Sequence, residues 1–115
     1  IDVVSPGHAA FDTHLQAGEQ LRYPSHVPNY SEAEWTSALS RAGFRVRGMQ
    51  KRRLRLDYPS WVDRMRTPDP HRTAIRALQQ WAPTDTAAYF AIEPDGSFSI
   101  DTLQVEASAC RARLP

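Results

Sequence analysis

The chain has 115 residues, 41% of them hydrophobic, with 14 Lys and Arg against 13 Asp and Glu, a net charge of +1. That length gives one small domain, residues 1–115, able to bury a core but too short for a complete two-layer nucleotide-binding fold. The charge balance argues against a dedicated polyanion binder, and no apolar run approaches the roughly 20 residues of a membrane span.

Cys110 is the only cysteine, so neither a disulfide framework nor a cysteine metal site is available within one chain. The start lacks the basic and apolar segments of a signal peptide, which makes a cytoplasmic location the expectation.

Residues 1–4 read as the end of a buried strand, closed by Ser5, Pro6 and Gly7. A helix over 11–21 follows, with Phe11, Leu15, Gly18 and Leu21 on one face and Asp12 near its positive end. Pro24 and Pro28 then bracket a loop holding Ser25, His26 and Val27. Ser31 followed by Glu34 is a capping box, and Trp35, Ala38, Leu39 and Ala42 give the helix over 32–42 one buried face. Gly43 is placed to end it in a left-handed conformation.

A long strand over 44–56 comes next, with Gly48 marking a bulge or bend. Its neighbourhood holds Arg41, Arg45, Arg47, Lys51, Arg52, Arg53 and Arg55. Cations in such an array usually form the solvated face of an edge strand, and no aromatics interleave them as nucleic-acid binding would require. Tyr58-Pro59 and Asp69-Pro70 each open a helix, since proline suits a first turn. Trp61, Val62 and Met65 form the apolar side of the first. Ala74, Ile75, Leu78 and Trp81 face inward on the second, with Arg72 and Arg76 as an exposed pair. All three tryptophans are assigned to the core.

After a short helical turn from Pro83, the runs 90–92 and 98–100 flank Pro94-Asp95-Gly96, a hairpin signal. The apolar phase slips after Ile100, so either a bulge lies near Asp101 and Thr102 or the strand is buried on both sides. Residues 111–115 are expected to fray.

Several ordered motifs carry a resemblance that spans nearly the whole chain: Leu21–Arg22, the Ser25-His26-Val27 loop, Tyr30-Ser31, Glu34-Trp35, and Ala42-Gly43-Phe44 before a strand. Further on come SWVDRM at 60–65, Thr67-Pro68, AIRALQ at 74–79 and DGSFSID at 95–101. The chain resembles the C-terminal half of class I S-adenosylmethionine-dependent methyltransferases of the ubiquinone/menaquinone-methyltransferase type. Tyr23 and Pro28 depart from the family, which often has an acidic and a basic residue there.

The resemblance implies an α/β fold (α+β as an isolated piece): a small mixed sheet of three to four strands with helices packed on it, the C-terminal part of a Rossmann-like methyltransferase fold. The final strand would run reversed between those at 1–4 and 44–56. S-adenosylmethionine is the implied methyl donor. However, the five glycines are isolated, with no G-x-G pair, so this chain alone is not expected to bind that donor. The expectation is a fragment, split half or remnant that lacks the cofactor-binding half and is inactive alone.

Arg22, Tyr23, His26 and Tyr30 are the substrate-side candidates. A histidine of near-neutral pKa between two phenols can orient or deprotonate a hydroxyl acceptor, and the resemblance puts this segment beside the acceptor pocket. Hydrogen bonding to loop carbonyls is the plainer role for His26 and Arg22. His8, His14 and His71 show no ligand spacing, so no metal is expected. No catalytic residue is assignable. Expected partners are a small-molecule acceptor and either a missing N-terminal half or a second copy, docked through residues 1–4 and 11–21. The alternative to the enzyme reading is a stand-alone dimeric interaction or ligand-binding module without catalysis.

Overall fold

The computed structural model of the chain describes residues 2–109. The expectations for Ile1, Cys110 and the terminal 111–115 concern residues outside that range. Eight elements follow in order: β1 (Asp2–Val3), α1 (Ala9–Arg22), α2 (Glu32–Arg41), β2 (Phe44–Leu56), α3 (Tyr58–Arg64), α4 (Asp69–Gln80), α5 (Thr84–Tyr89) and β3 (Phe98–Ala109).

The sheet has three strands in the order β1-β3-β2, so the final strand does lie between the other two. Both of its pairings are antiparallel, because the chain enters β3 from the opposite end. The sheet is therefore not mixed, and the parallel element is an isolated bridge between Ser5 and Ser31.

β3 settles the apolar phase slip. Its register against β2 runs without a break from Phe98 opposite Leu56 to Glu106 opposite Gly48. There is no bulge at Asp101. The strand instead buries opposite faces in its two halves. Phe98 and Ile100 point into a cluster with Leu15, Trp61, Val62, Ile75 and Phe90, drawn from α1, α3, α4 and the end of α5. Leu103, Val105 and Ala107 turn the other way and share a cleft with Trp35 and Leu39 of α2. The irregularity lies in β2 between Val46 and Gly48, as the glycine indicated.

Helix α2 begins as the sequence predicts: Ser31 Oγ accepts from the Glu34 amide at 3.1 Å, and the Glu34 carboxylate accepts from the Ser31 amide at 3.1 Å. Such a cap contributes about 1 kcal/mol. Its apolar face, however, is only half-buried, and Ala42 is exposed. Among the described residues it packs mainly on one narrow ribbon of β2 and β3.

Three further expectations are corrected. Trp81 is 87% exposed and Met65 40% exposed. Both are C-cap residues beyond the last helical turn, where helical periodicity no longer fixes direction. On α4 the buried positions are Ile75 and Gln79, and the arginines are not a free pair. Arg72 Nε donates to the Thr67 carbonyl at 2.6 Å, and Arg76 donates to Gln79 Oε1 and the Pro94 carbonyl, both at 2.7 Å. Finally, residues 90–92 are not a strand. Ala91, at φ 47°, leaves the extended region, and the segment meets β3 through the bond from Ser99 N to Phe90 O, with Glu93 N donating to Ser97 O just beyond both. The turn itself forms. Gly96 sits at φ 95°, and a Cβ there would lie 2.7 Å from Arg76 and 3.0 Å from Gln79, so no other residue fits without displacing them.

His14 lies against Phe90, ring centroids 5.0 Å apart, and burial lowers its pKa from the ordinary 6.5. A depressed folded-state pKa contributes stability above 6.5 that is lost as pH falls through the folded value. His14→Gln should therefore flatten the acid side of a denaturant-midpoint profile between pH 7 and 5. An unchanged slope would exclude His14 as its source.

Candidate functional site

The chain leaves β1 through Val4, Ser5 and Pro6 and enters α1 at Ala9. This turn and the start of α2 border an open groove of about 1010 Å³. Ser5 N donates to the Tyr30 carbonyl at 2.8 Å, which ties the loop after α1 to the end of β1.

Asp12, Gln16 and Glu19 stand on one face of α1, at spacings of four and three. They form a continuous polar chain. Ser5 Oγ donates to Asp12 Oδ1 at 2.5 Å, and Gln16 Nε2 donates to the same oxygen at 3.0 Å. Gln16 Oε1 lies 2.9 Å from His26 Nε2. Since the Gln16 amide nitrogen donates to Asp12, its carbonyl oxygen accepts a hydrogen bond from His26 Nε2. His26 Nδ1 is 3.7 Å from Glu19 Oε2, which is 4.0 Å from Arg22 NH2. The side chains of Glu19, Arg22 and His26 are only 10–12% exposed.

Arg22 closes the chain. Its guanidinium lies 4.7 Å above the Trp61 ring and donates to the Trp61 carbonyl at 3.4 Å. Its Nε is buried without a partner among the described residues. Burial pulls its pKa down, Glu19 opposes that shift, and Arg64 adds to it.

The structure thus brings Arg22 and His26 together, through a glutamate that the sequence reading missed. It does not bring in the phenols. Tyr23 and Tyr30 are 43% and 45% exposed, and neither hydroxyl bonds to His26. Tyr23 meets His26 through its carbonyl, while the Tyr30 ring packs edge-on against Trp35 at 5.3 Å. The helical spacing of Asp12, Gln16, Glu19 and Arg22 was the available signal. It reads as an ordinary polar face until the loop folds back and covers it.

Among the described residues, no group of three His, Cys, Asp or Glu side chains is arranged to hold a metal. Among the described residues, no helix is long and apolar enough to cross a membrane. A second cluster joins Arg53, Tyr89 and Asp101. The Tyr89 hydroxyl donates to Asp101, and Arg53 donates to Asp101 at 3.1 Å. Burial, followed by the Asp101 bond, pushes the Tyr89 pKa up to about 12. Its groups are mutually satisfied, which marks it as a clamp between β2, β3 and α5.

No protein-family model matches the chain. The protein YafE of Escherichia coli strain K12 is 44% identical over 107 residues, which cover 93% of this chain and 52% of YafE. The chain spans about half the length of the curated relative that it matches. A solved structure from Bacillus halodurans C-125, described as a candidate methyltransferase, aligns with a TM-score of 0.84 at 22% identity, over 91% of this chain and 51% of that one. The YcgJ protein from Bacillus subtilis aligns with a TM-score of 0.86 at 24% identity, over 96% and 50%. What these structures share with the chain is the fold: it has the architecture of about half of each of them.

Proposed function

We propose that this chain is the acceptor-side portion of a small-molecule methyltransferase of the ubiquinone/menaquinone-methyltransferase type, which uses S-adenosylmethionine supplied by a further half. The observation that supports this most is the structural similarity to half of a protein described as a candidate methyltransferase, over 91% of the chain. The donor does not fit the described residues alone. The turn after β1 holds the single Gly7, and the sequence has no G-x-G pair with which a backbone turn could approach the donor closely. No step through the donor is therefore derived. This chain's own part is to bind and orient the acceptor in the groove, where positioning governs an in-line transfer.

Calorimetry of the chain alone should show no saturable micromolar binding of S-adenosylmethionine. Joined to a donor half, the protein should transfer labelled methyl groups to a small molecule. Donor binding by the chain alone, or no transfer by the joined protein across a broad acceptor panel, would overturn the reading. For the chain without a donor half, a second copy is proposed instead to dock on the edge of β1. The apolar face of α1 adds nothing to that surface, since Leu15 and Phe11 already pack into the core.

A further inference from the structure

We propose that the groove beside β1 binds a small molecule through a hydroxyl or ammonium group that donates to Asp12, with Ser5, Gln16 and His26 as positioning residues. Calling that molecule a methyl acceptor rests on the reading above, whereas the binding itself does not.

Asp12 borders the groove and is half-buried. Its Oδ1 already accepts from Ser5 and Gln16, at 2.5 and 3.0 Å, so two bonds from different elements fix the carboxylate plane. Oδ2 has no donor among the described residues. An ionised carboxylate only accepts, so Oδ2 takes a bond from a ligand's donor in place of water. Behind it, Gln16 cannot turn without losing both Asp12 and His26, so the loop histidine holds the carboxylate through the amide.

The rest of the groove sets the ligand class. Glu32 and Glu34 also border it, and the Lys51 ammonium is 3.5 Å from Glu32, so its charge is already matched. An anion is disfavoured, while a neutral or cationic donor is not. Gly7, Ala9 and Ala33 are small residues on its border and add no charge to it.

The test uses three probes on the full chain, followed by amide nuclear magnetic resonance: phenol, anisole, which has the same ring without a donor, and benzylammonium. Phenol and benzylammonium should give saturable shifts at Ser5, Gly7, Asp12 and Ser31, and anisole should not. Asp12→Asn should weaken phenol binding by about tenfold, the worth of a bond to a charged group. Gln16→Met should weaken it about threefold while anisole stays unchanged, because only aim is lost. If Asp12→Asn fails to fold, Gln16→Met carries the decision. Equal binding of anisole, shifts confined to other surfaces, absence of any shift, or an affinity indifferent to both variants would overturn the proposal. Methyl transfer by the joined protein that ignores Asp12→Asn would remove this site and leave the methyltransferase reading. Phenol binding at Asp12 without any transfer would do the reverse.

Discussion

Phe90→Ala should destabilise the chain by about 3–5 kcal/mol, the usual cost of emptying a buried aromatic site. Phe90 is 1% exposed and is among the largest fully buried side chains. Phe11 and Tyr89 pack edge-on against it, with centroids at 6.4 and 4.9 Å, and His14 lies at 5.0 Å. These neighbours come from α1 and α5, and the backbone of Phe90 also holds Ser99 of β3. Collapse into the cavity would have to move a helix and the edge of the sheet together. Small domains have stabilities of about 5–15 kcal/mol, so this one change threatens folding. Trp81→Ala is the control, a larger aromatic that is 87% exposed, and should stay within about 0.5 kcal/mol. Urea midpoints in the reverse order would mean that the core is wrongly placed.

Much of this fold was legible because its local signals agree with its packing. The capping box at Ser31 and Glu34 and the glycine in β2 each name one local geometry, and the structure has it. The order of β1, β3 and β2 followed from resemblance, not from any residue pattern. The failures have one physical origin. Periodicity says which residues share a face but not what covers it. Thus α2 was given a buried face that the narrow sheet covers only partly, and Trp81 was placed inside although its helix ends just before it. The roles of Gln79 and Arg76 depend on carbonyls of Gly96 and Pro94, 17 and 18 residues away, which no helical template contains. The candidate site shows the same limit. His26 and Arg22 were visible as residue types, but their shared partner Glu19 lay on what reads as a solvated helix face.

Glu19 is accordingly the position where the largest electrostatic effect is expected. It is 8% exposed, and its carboxylate lies between the His26 ring at 3.7 Å and the Arg22 guanidinium at 4.0 Å. Glu19→Ala would leave Arg22 buried over Trp61 with its countercharge gone and its Nε already unpartnered. Losing one member of a buried pair costs about 3 kcal/mol or more, because the remaining charge stays desolvated. His26→Ala should cost less, about 1 kcal/mol, since it leaves the Glu19–Arg22 pair in place and loses one ordinary hydrogen bond to Gln16. Replacing both charges, Glu19→Leu with Arg22→Met, should recover much of the loss, since two apolar groups need no partners. A double-mutant cycle on denaturant midpoints reads the coupling directly. Strict additivity of the Glu19 and Arg22 changes would mean that at 4.0 Å the two charges are held by their surroundings and not by each other. In that case the ion pair would have no part in closing the loop over α1, and the aim of Asp12 would depend on Ser5, Gln16 and His26 alone.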